Sequence, residues 1–228
     1  MSGLKVRKVG TKAAELYLYD EIGDSGWGGI SAKAVVDEIR ALGQVDTLQV
    51  RINSPGGDVF DGVTIYNTLA RHPAKIETHI DGMALSIASV IAMAGAEIHM
   101  AENAMMMIHD PWTFAMGSAE DFRKKAELMD QVKGNLVATY VKRTGLEAEK
   151  VADLMAEETW FTANDAKQLG FVDVVTEEMQ IAAKYDLSRF RHAPPQAAVT
   201  RPAGNSIYRA KLAEIGQRAR RICGDRPQ

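Results

Sequence analysis

The sequence predicts an α/β fold, a mostly parallel sheet surrounded by helices. Three observations predict it. Short β-branched runs such as "TLQVRIN", "KIETHI" and "FVDVV" alternate with stretches whose apolar residues recur at helical spacing. The joints between them carry Gly, Pro, Asn and Asp, which break regular structure. A chain of 228 residues that is 46% hydrophobic is long enough to bury one sizeable core.

In order, "AAELYLYDEIG" reads as a first strand and turn. "SAKAVVDEIRALG" follows as a helix, with Ser31 as N-cap, Val35, Val36, Ile39 and Leu42 on its apolar side, and Gly43 as its stop. "TLQVRIN" is a second strand, ended by the breaker cluster "SPGGD". "VFDGVTIYNTLARH" spaces Val59, Val63, Tyr66, Leu69 and Ala70 for a helix that stops before Pro73. "KIETHI" is a strand, and "SIASVIAMAG" a helix closed by Gly95. "EIHMA" and "MMMIH" are short strands around the turn "ENA". A long helix capped by Ser118 carries the stripe Phe122, Ala126, Met129, Val132, Leu136 and Tyr140. Helices over "GLEAEKVADLMAEE" and "TANDAKQLG" lead to a last strand, "FVDVV". No internal repeat interrupts the series.

Composition shifts near residue 185. Residues 1–184 read as the folded domain, and residues 185–228 as a basic linker and tail with nine Lys/Arg against three Asp/Glu and a short helix around Ile207 to Arg221. The formal net charge of −3 gives no push toward nucleic acid or membrane. A lone cysteine, Cys223, excludes an internal disulfide framework and a cysteine-built metal site, and fits a reducing, cytoplasmic setting. The N-terminal "MSGLKVRKVG" lacks the apolar run of a secretory signal, and Met83 to Ala96 is too short to span a bilayer.

"DGMALSIAS" holds the most suggestive hydroxyl. Ser86 falls where a strand turns into a helix, Gly82 allows a tight backbone, and small neighbours leave room for a substrate chain. A helix N-terminus there supplies N–H donors and a positive partial charge. A serine nucleophile needs a base. Of the five histidines, His72 is in a turn, His79 and His99 are in strands and His192 is in the tail. His109 ends a strand and faces a loop, where α/β sheets present reactive groups. An acid to orient that base could be Glu157, Glu158 or Asp165, whereas Asp110 would point elsewhere on an extended chain. "NSPGGD" is a glycine-rich turn in which Gly57 can expose its N–H to a substrate oxygen. It lacks the spacing of a phosphate loop.

"RINSPGGDVFDGVTIYNTL", "DGMALSIASVIAMAG", "MMMIHDPW" and "WFTANDAKQLGFVD" together, in this order, resemble the ATP-dependent Clp protease proteolytic subunit (ClpP) family, nearest to the ClpP-like head maturation proteases of phages and prophages. The resemblance covers roughly residues 14 to 176. It implies the ClpP/crotonase-like fold with a long protruding handle helix, here the one starting at Ser118. It implies serine endopeptidase activity with Ser86 as nucleophile, His109 as base, Glu158 as acid (Glu157 as fallback), and the N–H groups of Gly57 and Ile87 as oxyanion donors. No metal or organic cofactor is implied. The implied partners are a protein or peptide substrate and further copies of the chain in a ring, with two stacked rings as one arrangement. Capsid or scaffold proteins, or an AAA+ ATPase, would be further partners; membrane and nucleic acid would not. A Ser–Lys peptidase of the signal peptide peptidase A type would want a lysine base and an anchor. A crotonase-type acyl-CoA enzyme would want catalytic carboxylates rather than this serine. A catalytically silent ring scaffold would have no need of an intact Ser86 and His109.

Overall fold

The computed structural model describes residues 3–24, 29–179 and 185–193. The chain divides into two compact units, Met1–Ala183 and Lys184–Gln228. The helix expected around Ile207 to Arg221, and most of the basic tail, lie outside the described residues. In the described part of the second unit, the Ser188 N–H donates to the Asp186 carboxylate at 3.0 Å.

The first unit runs β1 (Leu4–Val9), β2 (Ala13–Leu18), α1 (Ala32–Leu42), β3 (Thr47–Ser54), α2 (Val59–Ala70), β4 (Lys75–Leu85) and α3 (Ile87–Ala92). It continues with β5 (Glu97–Ala101), β6 (Met105–Ile108), α4 (Ala119–Thr144), α5 (Ala148–Ala156), β7 (Thr159–Thr162), α6 (Ala163–Gln168) and β8 (Val174–Thr176). One sheet joins the strands in the order β1-β2-β3-β4-β5-β8, with β6 pairing β4 and β7. Among the described residues only β1 with β2 and β6 with β7 are antiparallel. The mostly parallel α/β architecture read from the sequence is therefore present.

Alternation along the strands gives the sheet two unlike faces. Leu16, Leu18, Val50, Ile52, Ile76, Ile80, Ile98 and Met100 are buried in the core with residues of α1, α2 and α3. Each such side chain contributes roughly 1.5–3 kcal/mol on burial. The opposite positions form polar rows: Glu15, Gln49, Glu77 and Glu97 lie in register, as do Tyr17, Arg51, His79 and His99.

Caps follow the sequence. The Ser31 hydroxyl accepts from the Ala34 N–H, and α1 stops at Gly43 with φ 73°. Ser118 and Asp121 close a reciprocal capping box at the start of α4.

Two strands add to the expected series, and two expectations within it are corrected. Leu4–Val9 forms a strand that the basic string "LKVRKV" concealed; alternating Lys and Arg suit an exposed edge. Thr159–Thr162 is a four-residue strand too short to stand out between two helices. In "FVDVV" only Val174 onward is strand, because Phe171 and Val172 are buried in the turn before it. The apolar stripe of α4 is buried only at Val132, Leu136 and Tyr140, while Phe122, half exposed, stands on the helix's N-terminal half.

Strand β4 positions the site. Its first half pairs with β5, and its end, Met83–Leu85, pairs with β6 instead. A register irregularity in β3 between Ile52 and Ser54 accompanies this change. Gly82, expected at a tight turn, lies inside β4, so the chain turns only at Ser86.

Candidate active site

The serine sits where a long strand stops. Ser86 has φ 55° and ψ −129°, close to the first corner of a type II′ turn, a conformation that favours glycine. Such a backbone costs about 1–3 kcal/mol and persists only when its surroundings over-determine it. Three hydrogen bonds do so here. The Ser86 N–H donates to Met107 O at 2.9 Å, while the Ser86 carbonyl accepts from the Ser89 N–H at 3.0 Å and the Ser89 hydroxyl at 2.5 Å. The Ser86 side chain makes no cap hydrogen bond to α3, leaving its oxygen available for another partner.

That partner is His109. Its Nε2 lies 2.8 Å from Ser86 Oγ, and both residues are partly buried. The register explains the meeting. Leu85 pairs with Met107 across β4 and β6 and the Ser86 N–H donates to Met107 O, which ties the end of β4 to the last residues of β6, directly before His109. With Nε2 on the serine, Nδ1 is the nitrogen that an orienting acid would meet, as proton transfer by a serine–histidine pair requires.

Strand β7 brings the acid region to the same end. Met107 pairs with Trp160 and Ile108 with Thr159, antiparallel, so Glu158 immediately precedes β7 at the end where His109 immediately follows β6. Glu158 is 7% exposed, although carboxylates are rarely buried, and its backbone has φ 52°. Ser86 and Glu158 are the two non-glycine residues with positive φ among the described residues. The Trp160 indole N–H donates to Glu158 Oε1 at 3.3 Å.

The other acids are placed elsewhere. Glu157 is exposed at the C-cap of α5. The Asp165 carboxylate accepts from the Thr162 N–H and hydroxyl in the capping box of α6. Asp110 pairs with Lys133 of α4 at 2.8 Å.

The glycine turn packs directly on the serine. A Cβ on Gly56 would fall 2.7 Å from Ser86 Cβ and 2.6 Å from Leu85 O, and its φ is +84°. Gly57, with φ 149°, lies opposite Ile22: the Ile22 N–H donates to Gly56 O and the Asp58 N–H to Ile22 O, both at 2.8 Å. Those two bonds flank Gly57 and direct its own N–H away from Ile22. The same loop comes close to the first turn of α3, where the Ile87 N is 3.3 Å from the Gly56 Cβ position.

The other histidines of the first unit make contacts of their own. His79 and His99 stack on the polar sheet face with ring centroids 4.5 Å apart. His72 Nδ1 accepts from the Ala74 N–H, and His192 lies in the second unit. Sequence reasoning singled out Ser86, His109, Gly57, Ile87 and Glu158. It missed Gly56, the glycine in contact with the serine, although the doubled glycine was the available signal. It read Ser89 only as a small neighbour and Tyr140 only as part of the α4 stripe.

Comparison with known proteins fits this geometry. The sequence model of the family described as Clp protease matches residues 9–179. The chain is similar to ATP-dependent Clp protease proteolytic subunit 1 of Leifsonia xyli subsp. xyli, 31% identical over 170 residues, or 74% of this chain and 85% of the relative. It is also similar to ATP-dependent Clp protease proteolytic subunits of two Bacteroides fragilis strains, each 34% identical over 130 residues. Those matches span 56% of this chain and 63% and 59% of the relatives.

Proposed function

The chain belongs to the Clp protease family, and on that premise we propose that it is a serine endopeptidase acting through Ser86, His109 and Glu158. The observation that carries the reading is the 2.8 Å contact between His109 Nε2 and the oxygen of a serine held at positive φ. Ser86 Oγ attacks the scissile carbonyl carbon while His109 Nε2 takes the hydroxyl proton. The oxyanion that forms is held by the N–H groups of Gly57 and Ile87. His109 then gives its proton to the leaving amine, and the C–N bond breaks to leave an acyl-serine. Water, deprotonated by His109, releases the acid and restores the serine. Glu158 fixes the imidazole tautomer and offsets the positive charge that develops on it. Burial, positive φ and a place directly before β7, whose first residue pairs with Ile108, favour Glu158 over the exposed Glu157.

Copies of the chain assemble into a ring, and two rings stack through α4. Supporting this are the exposed Trp112, Phe114, Met116 and Phe122 on the approach to α4 and on its first turns, apolar surface that a stacked partner would cover. The substrate is protein or peptide. The finer role in phage head maturation rests on Glu158, "DPW" after His109 and the basic tail. The relatives' printed names support a second reading, a degradative chamber fed by an ATPase. Among the described residues no helix is long and apolar enough to cross a membrane.

Intact mass spectrometry after exposure to a fluorophosphonate tests the chemistry. One adduct on the wild-type chain and none on Ser86→Ala is expected, with peptide hydrolysis falling by at least about a thousandfold. Equal hydrolysis by both proteins would sink the proposal. Stimulation by a Clp-type ATPase would favour the chamber; ATP-independent trimming of a co-expressed capsid scaffold would favour head maturation.

A further inference from the structure

We infer that Ser89 and Tyr140 are positioning residues for the nucleophile, forming a hydrogen-bond relay from α4 that fixes the Ser86–Ile87 peptide plane and so aims the Ile87 N–H. The inference rests on the serine-peptidase reading and concerns two residues outside the Ser–His–acid set.

The relay is fully sequestered. Ser89 has no exposed surface and Tyr140 is 2% exposed. Ser89 Oγ lies 2.5 Å from the Ser86 carbonyl oxygen and 2.8 Å from the Tyr140 hydroxyl. A carbonyl can only accept, so the Ser89 proton points at Ser86. The Tyr140 hydroxyl must then donate to Ser89 Oγ, because Ser89 has one proton to give. Burial pushes the Tyr140 phenol upward in pKa, so it keeps the proton that this direction requires. The order is Tyr140 to Ser89 to Ser86, linking α4 through α3 to the strained turn.

A bond to that particular carbonyl matters because the peptide unit is planar and trans. The Ser86 C=O and the Ile87 N–H belong to one plane and point in opposite directions. Holding the carbonyl toward Ser89 therefore holds the Ile87 N–H toward the side where the substrate oxygen would develop charge. The turn at φ 55° and ψ −129° needs such a restraint, since rotation of this one peptide plane would relax the strain and turn the donor away. An apolar pair would fill the same space without directing anything. The loss should therefore appear in the transition state, where the oxyanion exists, rather than in substrate binding.

Tyr140→Phe keeps the packed ring and removes only the terminal donor. Steady-state hydrolysis of a fluorogenic peptide by the full-length variant is expected to show kcat lowered about threefold to tenfold and KM within about twofold, the scale of one buried hydrogen bond expressed as rate. Ser89→Ala should lower kcat by about tenfold or more, and the double variant no further than Ser89→Ala alone, because the relay is then already cut. Fluorophosphonate labelling of Ser86 should slow in step with kcat. Wild-type kcat in Tyr140→Phe with only a lowered melting temperature, or multiplicative losses in the double variant, would overturn the relay and leave the peptidase reading standing. A wild-type chain that neither labels nor cleaves would overturn the peptidase reading itself. If Ser89→Ala does not fold, Tyr140→Phe decides alone.

Discussion

Strand β4 carries His79 and ends directly before Ser86, about seven residues further on and roughly 23 Å away along an extended chain. Midway along it, His79 stacks on His99 with the rings 10° from parallel, beside Arg51 and Asp81 joined at 2.5 Å. Just past its end, Ser86 meets His109. The first region holds the perturbed titrations. Burial lowers the His79 pKa to about 4, with the charges of His99 and Arg51 adding to it, and burial raises that of Asp81. The second region holds the backbone strain, at Ser86 and at Glu158. Perturbed pKa values alone point to the middle of the strand and not to the proposed nucleophile past its end. Desolvation shifts a pKa wherever a sheet face is covered, whereas a hydroxyl–imidazole contact on a positive-φ serine has a narrower range of uses.

The strongest way to break this contrast is to exchange the two histidines' fates. His109→Ala is expected to lower kcat for a peptide substrate by about 10⁴-fold or more, and Ser86→Ala/His109→Ala no further, since such groups act as one unit. His79→Ala should remain within about threefold of wild type. The reverse ranking would mean that the stacked pair, not the strand end, does the chemistry.

Glu158→Gln comes next. It keeps the shape but cannot hold a negative charge beside an imidazolium, so kcat should fall by about 10²–10⁴-fold, while Glu157→Gln changes little. Equal losses in both would show that the acid is not fixed by the β6–β7 ladder. This ladder is also where the sequence was least legible. Ser86, His109 and the glycine turn lie in strings whose residue types announce a corner or a strand end. Glu158 is one acid among several in "AEETWFTANDA", and what separates it is its place directly before β7, whose pairing with β6 is a contact about fifty residues away that no local pattern encodes. The caps of α1 and α4 were legible because they are local, and β1 was not because its edge charges mask its alternation.

Gly56→Ala sharpens the comparison from the backbone side. The added methyl would meet Ser86 Cβ at 2.7 Å and Leu85 O at 2.6 Å at a φ of +84°, so the turn or the elbow must move. A shift of this kind should cut kcat by about tenfold to a hundredfold, since small misplacements of reacting groups are costly. Hydrolysis at the wild-type rate would show that the elbow tolerates displacement.

Asp81→Ala should do the opposite, changing stability with little effect on rate. Asp81 is 2% exposed, accepts from Tyr19 at 2.5 Å, and pairs with an Arg51 side chain that is 17% exposed. Removing one partner of a buried pair typically costs about 3–5 kcal/mol, because the remaining charge is left without compensation. The melting temperature should fall by about 6–20 °C, at about 2–4 °C per kcal/mol for a domain of this size. The kcat of the folded fraction should stay within about threefold of wild type. A rate collapse with an unchanged melting temperature would place Asp81 in the chemistry.

The smallest effect is the pH dependence of the His79 region. Its folded pKa, about 4, lies below the ordinary value of 6.5, so the fold favours the neutral ring. Above pH 6.5 both folded and unfolded chains hold it neutral, and the stability is complete. As the pH falls from 6.5 toward 4, the unfolded chain binds a proton that the folded chain refuses, so unfolding becomes easier. Below about pH 4 both are protonated, and this contribution stops changing. Because the ring is partly exposed, solvent screening reduces the effect to about 1 kcal/mol. Denaturant titrations between pH 7 and 4.5 should therefore show a slope in the wild-type chain that flattens in His79→Gln. An identical slope in both would assign the acid sensitivity to other groups, such as the neighbouring Glu77 and Glu15, whose pKa values lie below the usual carboxylate range through hydrogen bonds to Lys75 and to Tyr17 and Arg7 respectively.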